Sequence, residues 1–124
     1  ERLWRDWSPG WRWPVEDMAR LKETFRQPGV LGAAIGYYRA MLDPARQEAR
    51  YAALQSRIMI EPIEVPAMML YGADDGLTGA ELLTGMEAFF PRGLRVKVVP
   101  GTGHFLHQEA PDVINRLLLN FLRR

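Results

Sequence analysis

Apolar positions follow different rhythms in the two halves of the chain. Up to residue 60 they recur at helical spacing. Val15, Met18, Leu21 and Phe25 predict one amphipathic helix that stops at Pro28-Gly29. Leu31, Ala34, Ile35, Tyr38 and Leu42 share one side of a second helix over Val30–Leu42. Asp43-Pro44 reads as an N-cap followed by a first-turn proline, so a third helix is expected to start there, with Ala49, Ala52, Ala53 and Leu54 as its apolar side. From Ile63 onward the rhythm changes. Residues 65–71 form a nearly unbroken apolar run, as a strand covered on both faces requires. Thr78 and Glu81 make a capping-box pattern, predicting a helix with Leu82, Leu83, Met86, Phe89 and Phe90 along one stripe up to Pro91. Leu94–Val99 is a second strand. Pro111 then opens a last helix striped by Val113, Ile114, Leu117, Leu118, Phe121 and Leu122, with Arg123 and Arg124 at its negative end.

The expected organisation is therefore a helical segment over residues 1–62 and a β-α-β-α unit over residues 63–124, an α/β chain with two parallel strands. Two strands cannot cover each other's faces. Further strands are expected beside residues 65–71, supplied by sequence beyond these 124 residues.

Composition narrows the function classes. Sixteen basic against fifteen acidic side chains leave no field to gather nucleic acid or anionic lipid, and the arginines are scattered rather than striped, so no nucleic-acid partner is expected. The absence of cysteine excludes a disulfide framework and thiolate metal sites and fits a reducing, cytoplasmic compartment. No apolar run approaches the length of a membrane span, so no membrane partner is expected either.

Two turns carry the candidate chemistry. Tyr71-Gly72-Ala73-Asp74-Asp75-Gly76 follows the first strand directly, and Gly101-Thr102-Gly103-His104-Phe105 follows the second. Ligands and reactive groups collect at the carboxyl ends of parallel strands, so adjacent strands would bring a carboxylate and an imidazole to one edge. A carboxylate accepting the imidazole N–H fixes the tautomer and leaves the other nitrogen free to act as a base.

From residue 63 to the end, this order of strand, Gly-x-x-Asp turn, helix, strand, Gly-His-Phe loop and final helix resembles the end of an α/β-hydrolase. The first half is similar, more loosely, to the helical lid inserted before those strands. The resemblance implies that Asp75, in Gly72-Ala73-Asp74-Asp75, is the charge-relay acid and His104 the base, with Asp74 a turn-former. Gln108-Glu109-Ala110-Pro111 resembles the usual approach to the last helix. The family's nucleophile sits on a Gly-x-Ser-x-Gly or Gly-x-Asp-x-Gly elbow upstream of the lid. Neither Ser8 nor Ser56 lies in such a frame and no aspartate does, so the nucleophile is expected in a part not included in these residues.

Gly36-Tyr37-Tyr38-Arg39-Ala40 resembles the lid of epoxide hydrolases, where a tyrosine before arginine protonates the opening epoxide oxygen. That position is Tyr38, with Tyr37 as the fallback. The branch implied is that of epoxide hydrolases and haloalkane dehalogenases, acting on a small apolar organic substrate without a cofactor. A serine esterase and a non-catalytic, hydrolase-derived interaction module are the alternatives. His104 and His107 with Glu109 lie in a glycine-flanked loop, unlike the helix-borne pairs of metal sites, and no metal is expected. The four tryptophans among residues 4–13 read as aromatic packing of the lid.

Overall fold

The computed structural model describes residues 1–58 and 60–123. In chain order the elements are helices α1 (Arg2–Trp7), α2 (Val15–Arg26), α3 (Val30–Leu42) and α4 (Ala52–Ile58), strands β1 (Ala67–Gly72) and β2 (Leu94–Val99), and helices α5 (Leu106–Glu109) and α6 (Pro111–Leu122). They form two compact units, one of Glu1–Trp13 with Pro62–Arg124 and one of Pro14–Glu61. The segment expected over residues 1–62 is thus divided, its first thirteen residues grouping with the strands.

In the strand-bearing unit β1 and β2 pair in parallel, Ala67 opposite Leu94 and Gly72 opposite Val99, so the two strands end level. These are the only strands among the described residues. The pairing extends past both ends, with Ala67 N–H donating to the Gly93 carbonyl (2.9 Å) and Ala73 N–H to that of Val99 (3.0 Å). Proline at the first position of α6 and Asp112 in its first turn suit the helix start. Val99 and Ile114 are the buried aliphatic side chains of the unit, each contributing roughly 2 kcal/mol by removal from water. The guanidinium of Arg95 on β2 lies 5.8 Å over the ring of Phe121 on α6. Leu82, Val96, Val98 and Leu122 keep large exposed apolar surfaces. The favourable helix-end charge expected of Arg124 lies outside the described residues.

The helix expected over residues 78–90 does not form. Two 3-10 turns, Ala80–Leu83 and Met86–Phe89, replace it. The chain breaks between them because Gly85 takes a left-handed conformation (φ 82°), which interrupts a helix and which glycine alone tolerates readily. Nor does Thr78 cap anything there, since its hydroxyl donates to Asp75 (2.9 Å).

In the second unit α2 carries Glu16 and Asp17 in its first turn and Met18 as its buried side chain. Gly29, at φ 81°, turns the chain into α3. The expected third helix is also corrected. Asp43 accepts the Ala45 N–H (3.1 Å) as predicted for a cap, but it opens only the 3-10 turn Pro44–Arg46. A second 3-10 turn, Ala49–Tyr51, precedes the short α4, because the alanine-rich stretch offers little apolar surface to extend a helix. Helix α3 has no buried residue, and Leu31, Ile35, Tyr38 and Leu42 are exposed along it. No helix among the described residues is long and apolar enough to cross a membrane.

Candidate active site

Because β1 and β2 end level, the turns that follow them meet. The Asp74 N–H donates to the Thr102 carbonyl (2.8 Å), and the buried Thr102 hydroxyl donates to Val99 (2.9 Å). Glycine is required at position 72 by close approach, since a Cβ there would lie 2.1 Å from the Gly103 carbonyl oxygen. The two loops are in direct backbone contact before any side chain is added.

Of the two adjacent aspartates it is Asp75 that faces the imidazole. Its Oδ2 lies 3.0 Å from His104 Nδ1 and also accepts the Thr78 hydroxyl (2.9 Å). Its Oδ1 accepts the N–H groups of Leu77 (2.8 Å) and Thr78 (3.2 Å). Tyr71 steadies this loop by donating its hydroxyl to the Thr78 carbonyl. Only 6% of the Asp75 side chain is exposed, against 32% for His104. Burial alone would push the Asp75 carboxyl upward. The Leu77 amide, the His104 imidazole and the amide and hydroxyl of Thr78 together outweigh that push and hold it below the usual carboxylate range. An ionised Asp75 accepts a proton-bearing Nδ1 and leaves Nε2 with a free lone pair, the tautomer a general base needs.

A stability consequence follows with a definite sign. A carboxyl whose folded pKa is depressed stabilises the native state above its unfolded pKa, about 3.9, and loses that contribution as pH falls through the lower folded value. Urea unfolding between pH 6 and 3 should show wild type losing stability below about pH 4 more steeply than Asp75→Asn. Parallel profiles would mean the four donors do not favour the charged form.

The imidazole is framed by aromatic rings. Trp7 and Phe105 meet it edge-on at 5.0 and 5.2 Å, and Trp4 and Trp11 pack on Phe105 at 5.7 and 5.8 Å. The tryptophan cluster therefore packs the histidine loop. Beside the pair lies an apolar cavity of about 290 Å3, bounded by Met69, Leu70, Leu82, Leu83, Met86 and Leu106, into which Asp75, Thr78 and His104 also open. A larger cavity of about 610 Å3 sits at the opposite ends of the strands, between Pro66, Arg92, Leu94 and Leu122, and no acid–base pair lines it. The smaller one is the chemically equipped site.

Tyr38 lies on α3 in the other unit, half exposed, its ring edge-on to Tyr37 at 5.4 Å. His107 is on α5 and exposed. No cluster of three or more potential metal-ligating side chains occurs among the described residues. Two groups escaped the sequence reading. Ser8 is fully buried and donates to Glu109 Oε1 (2.7 Å), while Glu109 Oε2 accepts the Gly103 N–H (2.8 Å). The signal for Glu109 was its place before the helix-opening Pro111; nothing local marked Ser8, which lies 101 residues from its partner.

Comparison with known proteins agrees with this architecture. The sequence model of the alpha/beta hydrolase family matches residues 1–117. AB hydrolase superfamily protein YfhM of Bacillus subtilis is 31% identical over 108 residues, which cover 87% of this chain and 34% of that protein. Epoxide hydrolase 4 of Homo sapiens is 24% identical over 111 residues, covering 88% of this chain and 27% of that protein. The solved structure of a Klebsiella pneumoniae protein provisionally named an epoxide hydrolase superimposes with a TM-score of 0.83 at 26% identity, over 99% of this chain and 41% of that one. The chain spans about a third or less of the length of these curated relatives.

Proposed function

Since this chain belongs to the alpha/beta hydrolase family, we propose that it is the part of an epoxide hydrolase that supplies the base, its orienting acid and the proton donor. The observation that carries this reading is the His104–Asp75 pair at 3.0 Å opening on a small apolar cavity, together with relatives named as epoxide hydrolases. In this mechanism an aspartate on an upstream elbow, in the remainder of the hydrolase, attacks an epoxide carbon. The ring C–O bond breaks, the oxygen takes the Tyr38 phenol proton, and a carboxylate ester remains. His104 Nε2 then removes a proton from water, whose oxygen adds to the ester carbonyl; the intermediate collapses, the departing alkoxide takes the imidazolium proton and leaves as the diol, and the acid proton returns to the Tyr38 phenolate, restoring the aspartate. Asp75 holds the imidazole through both proton transfers. The apolar lining favours a small hydrocarbon-bearing epoxide and keeps bulk water away from the ester. The remainder of the hydrolase is also the proposed partner for the exposed apolar faces of β2 and α3.

The test compares substrates on the complete hydrolase containing this segment. Epoxide should give diol, while an activated ester of similar size turns over slowly. Ester turnover without epoxide opening would sink the proposal and point to serine at the elbow. Tyr38→Phe should slow ring opening about 100- to 10,000-fold, the scale for losing one positioned proton donor; an unchanged rate would transfer the role to Tyr37.

A further inference from the structure

We propose that Glu109 is a positioning residue for His104, acting with Ser8 as a two-part clamp on the backbone from which the imidazole projects; the functional consequence rests on the reading above, in which His104 is the base. Three consecutive amides carry the argument. Gly103 N–H donates to Glu109 Oε2 (2.8 Å). His104 N–H donates to the Trp7 carbonyl (3.0 Å). Phe105 N–H donates to Ser8 Oγ (3.2 Å). None of the three amides is paired in the strand ladder or within its own helix, so the loop's direction is set by these acceptors.

The acceptors are themselves locked together. Ser8, with none of its surface exposed, donates its hydroxyl proton to Glu109 Oε1 (2.7 Å), so its oxygen lone pairs turn toward Phe105. The Trp7 carbonyl also accepts the Gly76 N–H (3.1 Å), which ties the aspartate-bearing loop to the same strut. The fit is close enough to dictate sequence: a Cβ on Gly103 would stand 2.6 Å from Ser8 Cα and 2.8 Å from the Trp7 carbonyl oxygen. A carboxylate here does what a shorter or apolar side chain cannot. One oxygen orients Ser8, the other fixes Gly103, and the imidazole between them is aimed at Asp75. Loss of the clamp frees the loop to drift, and a displacement of about 1 Å at a reacting group costs up to about 100-fold in rate.

The experiment uses three substitutions at one position, with amide hydrogen exchange of this chain read beside turnover of the complete hydrolase. Glu109→Ala should speed exchange at Gly103, His104 and Phe105 by 10-fold or more, by roughly the opening that a lost charged acceptor allows. Exchange at Ile114 should not change. In turnover it should lower kcat on the order of 10- to 100-fold with KM nearly constant. Glu109→Gln keeps an acceptor for Gly103 and can donate to Ser8, so both readouts should recover to within a few-fold of wild type. Glu109→Asp keeps the charge but falls short by one methylene and should behave like the alanine variant; the Gln and Asp pair decides the matter even if alanine does not fold. Equal acceleration of every amide, or unchanged exchange and kcat in both the Ala and Asp variants, would overturn the proposal. If the wild-type hydrolase opens no epoxide, the functional reading fails, while exchange at residues 103–105 still decides whether the clamp exists.

Discussion

Under the proposed mechanism, replacing His104 with glutamine should convert a hydrolase containing this segment into an enzyme that reacts once and stops. Glutamine is close to histidine in size, and its amide N–H2 can still donate to Asp75 Oδ2, which in wild type faces Nδ1 at 3.0 Å. In the proposed mechanism, substrate binding and attack by the upstream aspartate would need no base, because an ionised carboxylate is already a nucleophile and the opening oxygen would take its proton from Tyr38. The second half of the cycle is different. Water is too weak a nucleophile to hydrolyse the ester unless something removes its proton as it attacks, and an amide has no such capacity at neutral pH. The expected result is a burst of about one equivalent of epoxide consumed, followed by turnover reduced by about 100- to 10,000-fold, the range for loss of a positioned general base. Intact-mass measurement should find protein heavier by one substrate molecule. Diol production at near wild-type rates, or stalling with no covalent adduct, would refute His104 as the water-activating base.

The same substitution separates the two classes of hydrolase that the sequence left open. With a serine nucleophile the histidine acts first, as the base that makes the serine reactive, so His104→Gln would abolish the burst along with turnover. An adduct that forms but does not hydrolyse points to aspartate. The Asp75–His104 geometry serves both mechanisms equally, which is why the distinction lies in kinetics rather than in the distance between these two side chains.

How much of this was legible in the sequence depended on how local the cause was. The strands, the last helix and the meeting of the two turns follow from short-range signals: an unbroken apolar run, Gly-x-x-Asp directly after it, and Pro111 opening a helix. Elements failed where a side chain found a better partner than the one its neighbours suggested. Thr78 satisfies Asp75 instead of a helix start, and Gly85 adopts a left-handed turn that an apolar stripe at helical spacing could not reveal. Asp43 caps as expected, but a cap alone does not extend a helix. The grouping of residues 1–13 with the strands was invisible for another reason. Ser8 meets Phe105 and Glu109, 97 and 101 residues away, and no periodicity within the first thirteen residues encodes such a contact. Trp4, Trp7 and Trp11 likewise meet Phe105, about a hundred residues along the chain.

A methyl group at position 72 should severely damage this unit. Gly72 ends β1, hydrogen-bonded in register opposite Val99, and its backbone lies against the loop that carries His104. An added Cβ would sit 2.1 Å from the Gly103 oxygen, 2.5 Å from the Thr102 oxygen and 2.8 Å from the Gly103 carbon. All three are backbone atoms, so no rotamer change relieves the clash. Either β1 and β2 separate at their ends or the histidine loop moves off, and the second route breaks the Asp74–Thr102 bond of 2.8 Å and draws His104 away from Asp75. Gly72→Ala is therefore expected to cost about 3 kcal/mol or more, the upper range for overpacking a tight site. The downfield Nδ1 proton resonance of an imidazole bonded to a carboxylate should weaken or vanish with it. Gly36→Ala provides the contrast, because a Cβ there meets nothing within 4 Å and alanine in a helix interior is favoured over glycine by up to about 1 kcal/mol. Urea unfolding of the two variants should thus move in opposite directions from wild type. If Gly72→Ala is as stable as wild type to within about 0.5 kcal/mol, the two loops do not touch as described, and the alignment of acid and base that depends on their contact falls with it.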